Sequence, residues 1–461
     1  MSTTPHFDRL RTVRASGAVN TAVVNTAVVN TAVVNTAVVN TAVVNTAVVN
    51  TAVVNTAVVN SVIPPTLAKP EAAAAAVFAS IRRRGPVARD AITAATGLSI
   101  ATVNRQVSAL LDAQLVRERP DLAVPGAIGR PRIPVEVNHE PYFALGIHVG
   151  ARTTSIVASD LLGRTLDAVE TPTASGSQAA GLAALIDSVR RYRSRWHRRR
   201  ALWIGVATGG VVDSTAGHVD HPRLGWSAAP VGPVLARALG LPVSVASHVD
   251  AMAGAELLFG AGQHIDVASS LYLYARETVG FAQVIDGRVL TPVGGPGTIA
   301  GLPVSSEMLG GSGQLESTVS DEAVLAAARK LGVLPESGPK STMTALLKVA
   351  RGADGPAADA RELLAERARV LGGAAALLRD MLNPENVVVG GQAFTDYPES
   401  LRQVRAAFAE RSLLPVREIR PTRFGSRVQE AGAGIVSLSA LYADPLGALR
   451  RARARRPGVS A

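Results

Sequence analysis

The chain has 461 residues, 47 Lys and Arg against 36 Asp and Glu for a formal charge of +11, and no cysteine. That length suits about three domains, and the positive charge favours a polyanionic partner, nucleic acid first. The missing cysteine excludes disulfides, thiolate zinc sites and cysteine nucleophiles. Only Lys69, Lys330, Lys340 and Lys348 among the basic residues are lysines, which with the Ala and Gly richness reads as a GC-rich genome more than a functional choice.

Residues 20 to 59 are unbroken copies of Asn-Thr-Ala-Val-Val. A period of five matches neither the 3.6 of a helix nor the 2 of a strand, so no continuous apolar face forms. The tract reads as a repeat-expanded arm, with a short solenoid or strand-forming arm as the alternative. Its Asn and Thr leave no run of roughly 20 apolar residues, so no membrane span is expected. Arg9, Arg11 and Arg14 lack a following signal-peptide core, and the chain is expected to be cytoplasmic. Pro64, Pro65 and Pro70 close the segment.

From Glu71 the texture changes. Glu71 to Arg84 predicts a helix ended by Gly85-Pro86, Val87 to Thr96 a second ended by Gly97, and Ile100 to Ala113 a third with Ser99 as N-cap. Val103, Val107, Leu110 and Leu111 make the inward stripe of the third helix. An extended stretch after Leu115, a loop with Gly129-Arg130-Pro131-Arg132, and a return strand at Ile133 to Val137 complete a winged helix-turn-helix pattern.

Beyond Pro141, strands at Ala144–Val149, Thr154–Ala158, Leu202–Ala207, Val243–Ala246, Ser270–Tyr274 and Val387–Val389 alternate with helices. The helices are expected over Gly181–Arg195, Val231–Leu239, Asp250–Gly260, 322–332 and 357–382. Such alternation indicates α/β architecture. The expected division is a 1–70 arm, a 71–140 winged helix-turn-helix, a 141–442 α/β domain in two lobes and a 443–461 basic tail.

A recognition helix needs short polar side chains near its N-terminus, because that end meets the base edges. Ser99, Ala101, Thr102, Asn104, Arg105 and Ser108 form such a face, and Arg and Asn can bond G and A bidentately. Arg130 and Arg132 at the loop tip suit a minor-groove or phosphate contact. Arg190 to Arg200 holds seven arginines around Tyr192 and Trp196, read as a solvated helix face with an auxiliary phosphate-contacting surface as the alternative. Arg450 to Arg456 reads as a disordered basic tail. His218 and His221 with Asp213 and Asp220 lie in a Gly-rich turn region and are not taken as a metal site.

The runs Gly85-Pro86-Val87-Ala88-Arg89, Thr96-Gly97-Leu98-Ser99-Ile100-Ala101-Thr102-Val103-Asn104 and Gly129-Arg130-Pro131 resemble the DNA-binding domain of ROK-family regulators (repressor, open reading frame, kinase). Downstream, Gly146-Ile147-His148-Val149-Gly150, the stretch Gly209 through Trp226, and Asn383-Pro384-Glu385 followed by Val388-Val389-Gly390-Gly391 resemble the same family. The resemblance spans about Glu71 to Tyr442. It implies an actin-like, ribonuclease-H-type duplicated α/β domain behind the winged helix, homodimers or tetramers, and control by a small effector.

Carried over residue by residue, the family's kinase chemistry is mostly replaced. The phosphate-loop Asp falls at His148, and the catalytic Asp at His248, with Ser247 for its Asn partner. Arg276-Glu277-Thr278 stands for Gly-Thr-Gly, leaving Gly280. The sugar-binding Glu and His fall at Thr298 and Gly301, and the zinc cysteines at Glu307, Leu309 and Gln314; Glu316 alone matches a family acid. Phosphoryl transfer needs metal, base and phosphate cradle together, so a non-enzyme without cofactor or metal is expected.

The expected function is a sequence-specific DNA-binding transcriptional regulator, a repressor, on an inverted-repeat operator. The rivals are a ROK-type sugar kinase with an appended DNA-binding domain and an interaction protein built on the valine repeats. His148, His248 and Asp250 are the candidate effector-cleft residues. Because two acids are exchanged for imidazoles that can add up to two positive charges, an effector, if one binds, is expected to be a sugar phosphate or acidic metabolite; the alternative is that both histidines fill space in a closed, ligand-free regulator.

Overall fold

The computed structural model describes residues 61–123, 133–259, 268–292, 295, 297–336, 338, 341–415 and 418–454. The pentapeptide repeats, Arg130, Arg132 and residues 455–461 lie outside the described residues. Met1–Ser61 and Val62–Ala461 are two separate units, and the elements that follow belong to the second.

The Ala-rich run after Glu71 is helix α1 (Ala73–Arg84), which buries Val77, Phe78 and Ile81 and stops at Gly85. Helix α2 (Arg89–Thr96) ends on Gly97 at φ +70°, a left-handed conformation that glycine adopts without steric cost. Helix α3 (Ile100–Asp112) then starts at Ser99, whose Oγ accepts from the Thr102 amide at 3.2 Å. Strands β1 (Val116–Glu118) and β2 (Val135–Val137) pair antiparallel, Val116 opposite Val137. The return strand begins at Val135 and not Ile133, because Pro134 has no N–H to give the ladder.

Strands β3 (Tyr142–Val149), β4 (Thr153–Ser159) and β5 (Thr165–Pro172) form an antiparallel meander. Helix α4 (Gln178–Arg193) leads to β6 (Arg200–Thr208), parallel to β3. A small antiparallel sheet of β7 (Val211–Asp213), β8 (His218–His221) and β9 (Trp226–Ala229) follows. Helix α5 (Val231–Leu239) then precedes β10 (Val243–Ser247), parallel to β6. The first sheet is ordered β10-β6-β3-β4-β5, and helix α6 (His248–Leu258) leaves its last strand.

The second lobe repeats the plan. A meander of β11 (Ser269–Ala275), β12 (Val279–Ile285) and β13 (Arg288–Val289) is extended by parallel β14 (Asn386–Gly390) and β15 (Ile419–Pro421), in the order β13-β12-β11-β14-β15. Between β13 and β14 lie α7 (Leu315–Val319), α8 (Asp321–Lys330), α9 (Met343–Ala350) and the long α10 (Ala357–Leu382). Helices α11 (Gln392–Thr395) and α12 (Leu401–Arg411) separate β14 from β15.

Helix α13 (Val428–Ala443) is buried along most of its length. Its seat on the first sheet is made by two register partners, Gly146 of β3 and Gly205 of β6. A Cβ at Gly146 would stand 2.6 Å from the Ala433 backbone, and one at Gly205 would overlap Ser437. Helix α14 (Pro445–Ala454) follows, burying Ala448, Leu449 and Ala452 in the same apolar cluster as Phe78 and Ile81 of α1. Arg453 donates to the Ala113 carbonyl at 3.3 Å.

Two sequence expectations are corrected here. Arg450 to Ala454 belongs to α14 and not to a disordered tail, because apolar residues at helical spacing give this segment a face to bury. Val62 to Lys69, assigned to the arm, instead packs on the body, with Val62, Leu67 and Ala68 buried. Among the described residues no single helix is long and apolar enough to cross a membrane.

Candidate functional site

In the three-helix head, α3 buries Val103, Val107 and Leu110 and exposes Ala101, Asn104, Arg105 and Ser108. Ser99 is exposed and Thr102 half-buried, their hydroxyls 3.1 Å apart. The polar face expected from the sequence therefore exists on one side of one helix. At the ribbon, the Glu136 carboxylate accepts from Arg117 Nε at 2.8 Å and from Arg119 at 2.9 Å. Burial pushes Glu136 up, but the hydrogen bonds from Arg117 and Arg119 outweigh it and hold the carboxyl below its usual range. This fixes the two paired strands to each other.

The head is seated on the body by α1. Phe78 meets Tyr442 at the end of α13 with ring centroids 6.4 Å apart. Arg82 donates to the Leu258 carbonyl at 2.8 Å.

A cavity of about 470 Å³ lies between the two lobes. His148 comes from β3, Gly209 from the end of β6, His221 from β8 and His248 from the start of α6. Tyr274, the turn 276–278 between β11 and β12, and the first residues of β12 close it from the second lobe. His148 and His248 are nearly parallel, centroids 6.0 Å apart and planes at 17°, and His248 lies 4.9 Å from the Tyr274 ring.

Burial first, then His248, Arg276 and His221, holds His148 well below the ordinary imidazole range. Burial, with a smaller push from His221, brings His248 down to about 4. His221 is also lowered, chiefly by burial. All three imidazoles are therefore neutral near pH 7, so the positive charge expected from His148 and His248 is not supplied by them. Arg152, Arg223 and Arg276 bring cationic groups to the lining, each paired with an acid: Arg152 and Arg276 with Glu277, and Arg223 with Glu322.

The cleft's carboxylates are engaged. Glu277 lies 3.8 Å from Arg152 and 3.9 Å from Arg276. Glu316 accepts from the Val279 amide at 3.0 Å, fastening the turn that precedes β12. Arg276 donates to Gln429 at 3.2 Å, while its Nε finds no acceptor. Gln429, in the first turn of α13, also donates to the Tyr274 hydroxyl at 3.0 Å. Among the described residues no group of three or more His, Asp or Glu side chains is arranged to hold a metal ion.

Asp250 stands apart from His148 and His248. It lines a second cavity, about 550 Å³, with Asp213, Thr291 and Pro64. Thr291 donates to its Oδ2 at 3.2 Å, while Oδ1 has no partner. Asp250 follows His248 by two positions on α6, about 200° around the helix axis at 3.6 residues per turn, which is enough to aim the two side chains into different spaces. Arg152, Arg223, Tyr274 and Gln429 are not legible in the sequence, since lone residues on four elements carry no spacing signal, and His221 lies on strand β8 and not in a turn.

Residues 144–442 match the model of the ROK family. The transcriptional regulator Rv0485 of Mycobacterium tuberculosis (strain ATCC 25618 / H37Rv) is 68% identical over 399 residues, 85% of this chain and 90% of that protein. Among solved structures, a ROK family transcriptional regulator described as a homolog of the E. coli MLC protein superposes with a TM-score of 0.66 at 25% identity, covering 82% of this chain and 97% of that one. A ROK family glucokinase from Streptomyces griseus superposes at 0.55 with 20% identity, covering 64% of this chain and 99% of its own, a likeness of fold. The chain belongs to the ROK family, whose model its two-lobed body matches from residue 144 to residue 442.

Proposed function

We infer that this chain is a DNA-binding transcriptional regulator, a repressor, whose winged helix-turn-helix reads an operator and whose two-lobed body senses a small molecule without phosphorylating it. The observation that carries the reading is α3: its apolar stripe is buried while Asn104 and Arg105 stand exposed near a Ser-capped N-terminus, the end that enters a major groove. The head is taken as 71–140 and the sensing body as 141–442. A homodimer or tetramer would present two heads to an inverted repeat. The regulator match covers more of this chain than the glucokinase match, and Rv0485 bears the name of a transcriptional regulator.

The interlobe donors do not suit a magnesium–nucleotide complex. Such a complex needs free carboxylates, and the cleft offers neutral imidazoles, guanidiniums, and two carboxylates already held by Arg152, Arg276 and the Val279 amide. The same lining suits an anionic effector, a sugar phosphate or acidic metabolite, with Arg152, Arg223 and Arg276 as its cationic partners.

Two measurements test the reading. Genome-wide occupancy mapping should return sites with an inverted repeat. A phosphorylation assay against a hexose panel should give no turnover above background, and measurable turnover would favour the kinase alternative. For the effector, calorimetric titration should detect an acidic ligand, with weaker binding by an Arg152→Ala/Arg223→Ala variant. Tight binding of a neutral hexose that the double variant retains would refute the anionic preference.

A further inference from the structure

Between the end of the arm and α1, eight residues cross both lobes. At one end, Val62 pairs with Val243 of β10, the Ile63 amide donates to the Val243 carbonyl at 2.9 Å, and Ser244 Oγ donates to the Ile63 carbonyl at 2.6 Å. At the other end, Ala68 pairs with Arg288 of β13. There the Val289 amide donates to the Leu67 carbonyl at 2.9 Å, and the Lys69 amide to the Gly287 carbonyl at 2.7 Å. β10 and β13 are the outermost strands of the first and second sheets, so one short segment is hydrogen-bonded to both lobes.

The body is shaped to receive it. A Cβ at Gly232, in α5, would stand 3.1 Å from a Val62 methyl, and one at Gly254, in α6, would stand 2.9 Å from a Leu67 methyl. Both apolar anchors therefore sit where the body has no side chain. Four residues after Lys69 the chain enters α1, the helix that docks the head through Phe78 and Arg82.

We propose that Val62–Lys69 is a coupling strap, the element that reads the separation of the two lobes and passes it to the DNA-binding head. A strap bonded to both sheets cannot keep both anchors if the lobes shift, and the loss of either anchor changes the tether on α1. The inference rests on the regulator reading above. It adds to that reading the route by which occupancy of the cleft reaches the head.

Hydrogen–deuterium exchange on the full chain tests it. Ser244→Ala removes the side-chain bond to the strap in the first lobe, together with the acceptor of the buried Trp203 indole N–H, and touches neither the cleft nor α3. Exchange at Ile63 should rise by up to about tenfold, the worth of one hydrogen bond, and the rise should spread to Lys69, Val289 and α1. A rise confined to residues 61–64 and 243–244 overturns the proposal. Leu67→Cys/Gly254→Cys tests it without loss of structure, since a Cβ at Gly254 would lie 3.3 Å from the Leu67 Cβ and the chain has no other cysteine. Closing that disulfide should slow exchange in α1, with reductant restoring it, and identical α1 exchange in the two redox states counts against the strap. Enrichment of genomic DNA fragments is measured in parallel on the wild type and Ser244→Ala. If both bind fragments but exchange does not spread, the strap alone fails; if neither binds any, the regulator reading fails and takes the strap's role with it.

Discussion

The guanidinium of Arg82, in the last turn of α1, lies 4.1 Å from the centroid of the Tyr442 ring, in the last turn of α13. Gln429, near the opposite end of α13, lines the interlobe cavity. The helix rises about 1.5 Å per residue, so one rigid rod of roughly 20 Å joins the cleft to the head's docking face.

Removing that contact should loosen the head without opening the body. Arg82→Ala forfeits a cation–π contact and a hydrogen bond, about 1–2 kcal/mol together. Phe78→Ala, which leaves a hole at a fully buried ring, should cost about 3–5 kcal/mol. Urea unfolding followed by peptide-resolved exchange should find the loss concentrated in α1–α3. Equal loss across both lobes would mean that the head and body unfold as one.

On α3, Asn104→Ala or Arg105→Ala should weaken specific DNA binding by ~1–3 kcal/mol and relax preference at particular base pairs. Both residues are exposed, so stability should change by less than about 0.5 kcal/mol. Ser99→Ala should differ, because the cap to Thr102 is worth about 1 kcal/mol of stability. Titration of a mapped operator and thermal unfolding of the same three variants separate the two effects.

Acid should unfold the body by way of its histidines. Unfolded histidines bind protons near 6.5, whereas His148 and His221 are held lower and His248 at about 4. Between those values the unfolded chain holds more protons, so stability falls as the pH drops from 7 towards 4, by up to about 1.4 kcal/mol per unit for each group. Urea midpoints at pH 7, 6 and 5 should decline, and His248→Gln should flatten the decline. A wild-type midpoint independent of pH would contradict this.

Asp250 should act in the opposite direction. Burial pushes its carboxyl up to about 7, against the hydrogen bond from Thr291. Between the unfolded carboxylate range and pH 7 the native chain keeps a proton that the unfolded chain has lost, so this group costs more stability as the pH rises. The advantage of Asp250→Asn over the wild type should grow from pH 5 to pH 8, by on the order of 1–3 kcal/mol. An advantage constant with pH would show that the side chain is charged throughout.

The elements that sequence made legible have one-sided burial or clean punctuation. The head was readable because Gly85 and Gly97 end two helices and Ser99 opens a third. β3 and β6 were readable as apolar runs between breaks. Helix α13 was not, since Gly432, Ala433, Gly434, Ser437 and Ser439 are all buried and leave no polar face to give a period. His148 and His248 stood out as exchanges of acid for imidazole. Their neutrality is set by burial between lobes distant in sequence, and so are the cationic contributions of Arg152 and Arg223.

The strap also bears on where the chain can be cut. A start near residue 70, at the junction between low-complexity arm and folded head, would strip β10 and β13 of their outermost neighbour and take the strap's partners from the Val243 and Gly287 carbonyls and the Val289 amide. Bare strand edges of that kind recruit one another between molecules. A chain beginning at Val62 keeps those bonds, so a chain cut at residue 70 should associate more readily than one cut at Val62.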